Sequence, residues 1–217
     1  MYDEVVDIKF NGNTYKCVAK SFNFVDDREI YNIYVAWRYL SIRSKNLGCR
    51  GANIPEGLSE ITFCRVSGSV KIIKSPTGFP TSFDTYDLKR NKRQEIKSTS
   101  VYKDLTSFSP MNRCDELFWI DFYNDGNLNG SFDIYKLDID TVLTIKVNKT
   151  DTFKDAQLAG KRPRFSVREE FINKRGLKPI FSSNVGITSK RFPKIVGKLK
   201  VKSDKVITTP IKEENKS

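Results

Sequence analysis

Asp84, Glu95 and Lys97 are the residues of this chain whose types and spacing can carry a chemistry. They fall in Ser82-Phe83-Asp84-Thr85-Tyr86-Asp87, then Leu88-Lys89-Arg90-Asn91-Lys92-Arg93, then Gln94-Glu95-Ile96-Lys97-Ser98. The stretch reads as a β-hairpin with a charged turn containing Asn91. Side chains two apart on a strand point to the same face. Glu95 and Lys97 therefore share a face, and pairing with the first arm can bring Asp84 beside them. Two carboxylates suit Mg²⁺, a hard cation that takes oxygen ligands and keeps several waters. Such an ion polarises a phosphoryl oxygen and lowers the pKa of a bound water. The Lys97 ammonium can orient that water or stabilise charge developing in the transition state. The bland counterpart is a surface hairpin with a cross-strand ion pair.

The elements around this hairpin must position it. Val5–Phe10 and Thr14–Val18 alternate about an Asn11-Gly12 turn and predict two paired strands. Asp26 to Glu29 resembles an N-cap with a capping-box acid. Ile30, Ile33, Tyr34, Trp37, Leu40 and Leu47 follow at helical spacing, and Gly48 closes the helix. The Tyr34–Trp37 stripe reads as core or dimer interface. Residues 48 to 57 form a loop, Leu58–Val66 a short helix, and Ser69–Lys74 a strand. Glu116–Tyr123 is nearly all apolar, as expected of a strand buried on both faces, and Ser131–Leu137 pairs back on it. Asp121 and Asp133 could be further metal acids, but a place at the sheet edge accounts for them more simply. Asp140–Ile145 is ambiguous between helix and strand. Thr152–Ala159 and Val167–Lys174 read as helices.

The chain has 217 residues, enough for one well-filled core. Its net charge is +12, which points to a polyanionic partner, nucleic acid or an anionic membrane. It contains no histidine, and Cys17, Cys49, Cys64 and Cys114 form no C-x₂-C pair. Zinc fingers and histidine-dependent hydrolases are thereby excluded, and the cysteines are expected to be reduced and structural. Hydrolysis here must use carboxylates, lysine and a hard metal. No apolar run approaches the roughly 20 residues that span a bilayer, and Met1-Tyr-Asp-Glu does not open a secretory signal. A cytoplasmic protein is expected.

An acid, a ten-residue spacer and then Glu-x-Lys resembles the signature of the PD-(D/E)xK nucleases, and in particular of type II restriction endonucleases. Asp104–Pro110 followed by Asp115–Tyr123 is similar to the segment after the catalytic strand in small enzymes of that class. Gln157-Leu-Ala-Gly-Lys-Arg-Pro-Arg-Phe-Ser166 resembles relatives that cut GCNGC-like sites. The resemblance covers about residues 45 to 172. It departs from the pattern at Phe83, which stands where the family usually has Pro. That leaves Asp87 as an alternative to Asp84, although the Asp84 spacing matches better. The resemblance implies an α/β fold, a mixed central β-sheet flanked by helices with the catalytic hairpin near its middle. It implies Mg²⁺ held by Asp84 and Glu95, with Lys97 completing the catalytic set. It also implies an acid from the preceding helix: Glu60, or Glu56 nearer the loop. The implied activity is site-specific cleavage of double-stranded DNA, by a homodimer, with protection by a cognate DNA methyltransferase. The competing readings are a repair or junction nuclease of the same fold, or a basic DNA-binding protein without enzymatic activity.

Binding residues are expected in the loop Gly160–Ser166, where Pro163 stiffens the backbone. Lys161, Arg162 and Arg164 there suit phosphate or guanine, since a guanidinium fork is bidentate to either. Arg50, Asn53, Asn112 and Arg113 are the next candidates. From Lys190 onward nine basic residues stand against three acids. The expected organisation is a single endonuclease domain over 1–205. It comprises an N-terminal hairpin and helix over 5–47, a catalytic core over 48–175 and a basic segment over 176–205. A disordered tail is expected over 206–217.

Overall fold

Alternation builds the first element. Val6 and Ile8 on β1 (Tyr2–Phe10) and Cys17 and Ala19 on β2 (Asn13–Ser21) turn inward, while their sequence neighbours face outward. Asn11 and Gly12 close the hairpin with φ of 49° and 79°, a left-handed pair that suits the strand twist. These coordinates come from a computed structural model that describes residues 2–23, 26–79, 82–110, 114–126 and 129–185. Asn112, Arg113, the basic segment from Lys190 and the tail over 206–217 lie outside the described residues.

Helix α1 (Asp27–Asn46) follows the predicted apolar spacing at Ile30, Tyr34 and Trp37, which are buried, whereas Leu40 and Leu47, expected on the same stripe, are exposed. The expected capping box is not formed. Asp26 occupies the N-cap, but its carboxylate accepts the Asn23 amide at 2.8 Å, closing the preceding turn instead. Helix α2 (Glu56–Ser67) ends at Gly68, whose φ of 77° gives the left-handed cap that stops a helix. The two helices are joined by Arg65, only 2% exposed, whose fork grips Asp27 at 2.5 and 2.8 Å.

The central sheet has five strands in the order β10-β8-β7-β5-β4. These are β4 (Thr85–Asp87), β5 (Lys92–Thr99), β7 (Glu116–Asp121), β8 (Ser131–Leu137) and β10 (Phe181–Asn184). Only the β5–β7 pair is parallel, so the sheet is mixed. All six residues of β7 are buried, as its apolar run requires. The hairpin does not lie at the middle of the sheet: β4 is an edge strand and β5 lies next to it. The three-residue β4 is too short to cover β5, and that leaves the end of β5 beyond Gln94 free for a site. Strands β1, β2 and β3 (Lys71–Lys74) form a separate sheet, which meets β4 through the paired backbones of Val70 and Tyr86.

The two faces of the central sheet fill two cores. Ile96, Phe118 and Ile120 pack with α1 and α2 residues, including Trp37, Leu58 and Phe63. Leu117, Trp119 and Leu137 pack on the other face with Phe108, Phe153, Phe165 and Phe171. The ambiguous segment proves helical, α3 (Ile139–Thr144), capped by the Asp138 carboxylate. A full capping box starts α4 (Phe153–Leu158) at Thr152 and Asp155. A π-helical turn covers Arg168–Asn173. Asp121 and Asp133 stand opposite one another on interior strands, not at an edge. Asp121 pairs with the buried Arg168, and Asp133 accepts the Ser182 hydroxyl at 2.5 Å.

Phe63 is fully buried between α2 and the sheet, with its ring 4.6 Å from that of Phe118. Phe63→Ala is expected to cost about 3–5 kcal/mol in urea unfolding, the transfer loss plus the cavity left behind. Leu158→Ala, at a side chain 79% exposed, should change stability by under about 0.5 kcal/mol.

Candidate active site

The site forms where β5 outruns β4. The Asp84 amide donates to the Gln94 carbonyl at 3.0 Å, the last backbone bond of the hairpin at this end among the described residues. The next inward-facing amide of β5, at Ile96, donates to the Asp84 carboxylate at 2.7 Å. A side chain thus takes over where the ladder stops, satisfying an edge N–H that would otherwise lack a partner. The bond also sets the Asp84 carboxylate against the residue lying between Glu95 and Lys97.

Glu95 and Lys97 share a face of β5, and their side chains form an ion pair with each other. In the parallel register they stand beside Leu117 and Trp119, so both project on the face opposite α2. Glu95 is 3% exposed and Lys97 half-buried. Burial first, and then the neighbouring Glu95 carboxylate, push the Asp84 carboxyl up to about 6. The Ile96 amide, Lys97 and Lys71 pull it down and only partly offset this.

Two thiols flank the acids. Burial raises the Cys64 thiol far above its ordinary value, and the Asp84 charge adds to the effect. Burial, then the Glu95 charge, pushes Cys114 up to about 12. Both stay protonated near neutral pH, so neither offers a soft thiolate. Among the described residues no group of three or more Cys, Asp or Glu side chains converges as a ready-made metal cage. Asp84 and Glu95 are hard oxygen donors, the ligand type and number that Mg²⁺ takes from protein, since it binds through one or two carboxylates and keeps much of its water.

The other residues expected here divide by position. Asp87 faces away into the hairpin turn: its carboxylate accepts the Lys89 and Arg90 amides at 2.9 and 3.1 Å, and the Arg90 Nε at 2.6 Å. That is the work of an Asx turn, and it accounts for Asp87 without the acid pair. Glu60, on α2, is buried and ion-paired to Lys71 of β3. Glu56, one turn earlier on α2, is exposed. Lys71 was not anticipated from the sequence. It lies on a strand outside the hairpin, and no spacing pattern links it to Asp84.

A cleft of about 480 Å³ opens over the C-terminal half of β5. Lys97, Glu56, Arg50 and Asn53 line it, together with Arg38, Lys45 and Lys103. Arg50 donates to the Asn53 side chain at 3.2 Å, which steadies the loop before α2. The loop Gly160–Ser166 reaches this region through a two-strand pairing of β6 (Thr106–Ser107) with β9 (Arg164–Phe165). That register sets Arg164 opposite Ser107, which lines the cleft. Arg162 and Arg164 are exposed, and Lys161 faces Asp151 at 3.9 Å. Behind the loop, Asp104 accepts the Ser166 hydroxyl at 2.6 Å and the Val167 amide at 2.7 Å.

No helix among the described residues is long and apolar enough to cross a membrane. No solved structure matches the chain. The chain is 33% identical over 168 residues to the type II restriction enzyme Bsp6I of Bacillus sp. (strain RFL6), an alignment covering 75% of this chain and 88% of that protein. The family model for the Bsp6I restriction endonuclease matches residues 23–174, a span that holds α1, α2, the Asp84–Lys97 hairpin and the Gly160–Ser166 loop. With an edge carboxylate, a buried glutamate and a lysine gathered inside that span, the chain belongs to the Bsp6I restriction endonuclease family.

Proposed function

We propose that this protein is a type II site-specific deoxyribonuclease that cleaves double-stranded DNA by Mg²⁺-dependent phosphodiester hydrolysis, as part of a restriction-modification system. Family membership supports the activity class. The observation that carries the assignment of residues is the bond from the Ile96 amide to Asp84, which gathers Asp84, Glu95 and Lys97 at one strand end. In this reading Asp84 and Glu95 hold the metal, with Glu60 as the acid lent by α2. Bound there, the ion supplies Lewis acidity toward a phosphoryl oxygen and a water of lowered pKa. The Ile96 amide orients the Asp84 carboxylate by donating to one of its oxygens. Lys97 positions the attacking water and stabilises charge on the phosphorus oxygens.

The DNA lies along the cleft, its phosphates met by the basic rim and its base edges by Arg162, Arg164, Arg50 and Asn53. Lys161 serves as a phosphate contact. A twofold-symmetric target calls for a C2 homodimer, because the protein axis must coincide with that of the DNA. A cognate methyltransferase protects the host DNA, and GCNGC-containing DNA is the first substrate to test.

Incubation of a plasmid carrying such sites with the protein and Mg²⁺ should give discrete fragments. Nicking alone, or a mobility shift without cleavage, would reject the proposal. Asp84→Ala, Glu95→Ala and Lys97→Ala should each reduce cleavage by at least about a hundredfold, the scale of losing one positioned catalytic group. Asp87→Ala should still cut, at the cost of a turn bond worth about 1 kcal/mol.

The titration of Asp84 makes a prediction of definite sign. Its folded-state value, about 6, lies above its ordinary 3.8, so the folded chain holds this proton more tightly than the unfolded one. The resulting stabilisation is full below 3.8 and is lost as pH rises through about 6. Above that range the ionised carboxylate is a net cost in the metal-free protein. Asp84→Asn should therefore raise metal-free stability at pH 8 by roughly 1–3 kcal/mol, with the gain fading toward pH 4. Cleavage by the native chain should also fall with falling pH, but over a lower range in Mg²⁺, because a bound cation favours the ionised carboxylate. A mutant gain that persists unchanged at pH 4 would contradict this account.

Arg162→Ala or Arg164→Ala should narrow the gap between cognate and non-cognate DNA binding in Ca²⁺ by roughly 1–3 kcal/mol, the discrimination carried by one bidentate base contact. Parallel loss on both DNAs across a salt series would instead make the loop a phosphate clamp.

A further inference from the structure

Five charged side chains are linked through Lys71: Asp84 feels Glu95, Lys97 and Lys71, and Lys71 pairs in turn with Glu60 of α2. Their pairing follows a pattern. Glu95 is held by Lys97, its neighbour on the same strand, and Glu60 by Lys71. Asp84 accepts a backbone amide and feels the positive charge of both lysines. Lys71 alone among the five comes from the three-stranded sheet. It is brought in by the backbone pairing of Val70 with Tyr86, two residues beyond Asp84. Without Lys71 and Lys97, the Asp84 and Glu95 carboxylates would repel one another, burial would amplify the repulsion, and the buried Glu60 would lose its partner.

We propose that Lys71 is a positioning residue that stands in for the divalent cation. In the metal-free protein its ammonium neutralises the acid cluster and holds Glu60. On metal binding it must release Glu60, which is then free to join Asp84 and Glu95. The inference rests on the metal-site reading given above and adds to it the residue that sets metal affinity. Lys71 suits this role better than Lys97 for a topological reason. Lys97 shares a strand and a face with Glu95 and keeps its place whatever occupies the site. Lys71 reaches in from a different sheet on a long flexible stem and is half-exposed, so it can withdraw to solvent. A cation that leaves when another arrives also explains how Asp84 and Glu95 stay side by side, with Glu60 close to the same lysine, before a metal is bound.

The test titrates the full-length protein with CaCl₂ at pH 8, following thermal unfolding and calorimetric binding. Native protein, Lys71→Met, Lys71→Arg and Asp84→Ala are compared. Removing a fixed positive charge from beside a dication site should tighten Ca²⁺ binding by roughly tenfold or more. Lys71→Met is therefore expected to lower the metal-free melting temperature and shift the Ca²⁺ midpoint to lower concentration. Lys71→Arg should restore both to near the native values. A purely structural lysine would lower the melting temperature without moving the Ca²⁺ midpoint, so that result overturns the proposal. If Lys71→Met does not fold, Lys71→Gln removes the charge while keeping a hydrogen-bond donor, and the same shift is required of it. A native Ca²⁺ response that Asp84→Ala abolishes and Lys71→Met leaves unchanged overturns the role of Lys71 while sparing the metal site. A native protein indifferent to Ca²⁺ overturns the metal site itself, and Lys71 with it.

Discussion

The hydrogen bond from the Ile96 amide to the Asp84 carboxylate is the constraint on which the site depends. It exists because β4 and β5 differ in length. A longer β4 would pair the Ile96 amide with backbone and turn Asp84 elsewhere. The short β4 leaves the Ile96 amide without a backbone partner on that side, and the side chain of Asp84 accepts it. The same bond that satisfies the edge draws a second carboxylate toward Glu95. The raised Asp84 value is the electrostatic consequence, since the fold gathers like charges in a half-buried place.

That geometry holds only if β5 keeps its register, because a one-residue slip would exchange its two faces. Charged clamps stand at both ends of the parallel β5–β7 pair. At the start, Glu116 accepts from both terminal guanidinium nitrogens of Arg90 at 2.6 and 2.7 Å, from Lys136 at 2.7 Å and from Gln94 at 3.1 Å. The buried Glu116 carboxylate, ringed by cationic and amide donors, is held below its ordinary value against the opposing effect of burial. At the far end Asp121 pairs with Arg168, whose guanidinium sits among Tyr102, Trp119 and Tyr123 at 5.5, 5.8 and 5.5 Å. Arg168 directly follows the Ser166 and Val167 contacts to Asp104. One guanidinium therefore ties the sheet to the root of the Gly160–Ser166 loop. Ile96 and Ser98, facing α2, complete the hold through core packing and a 2.7 Å bond between Ser98 and Ser59.

Charge is sorted by depth. Glu95, Glu60, Glu116 and Asp121 are buried and each has a cationic partner. Arg50 lines the cleft, Arg164 stands opposite the cleft-lining Ser107, and both are exposed, as is Arg162 on the same loop as Arg164, as a phosphate-facing surface requires. The net charge of +12 therefore understates the contrast between an acidic strand end and its basic surroundings. Such a contrast suits a polyanion held close to a metal site: the surroundings attract what the acids alone would repel.

Local patterning by itself determined much of this protein. The Asn11-Gly12 hairpin, the two helices before the site, the buried β7 and the pairing of β8 on it were all legible, because period and turn chemistry act over a few residues. That Glu95 and Lys97 share a face was legible from spacing, since strand alternation alone gives it. Tertiary structure decided the rest. It set the hairpin at the edge of the sheet, which depends on strand order and not on any residue in the hairpin. It gave Asp87 to a turn and Asp84 to Ile96, a choice made by where the ladder stops. It put Asp121 and Asp133 inside the sheet with Arg168 and Ser182. It also brought Lys71 to Glu60 across two sheets. Contacts between residues distant in sequence arise from packing and pairing, and no local pattern encodes them.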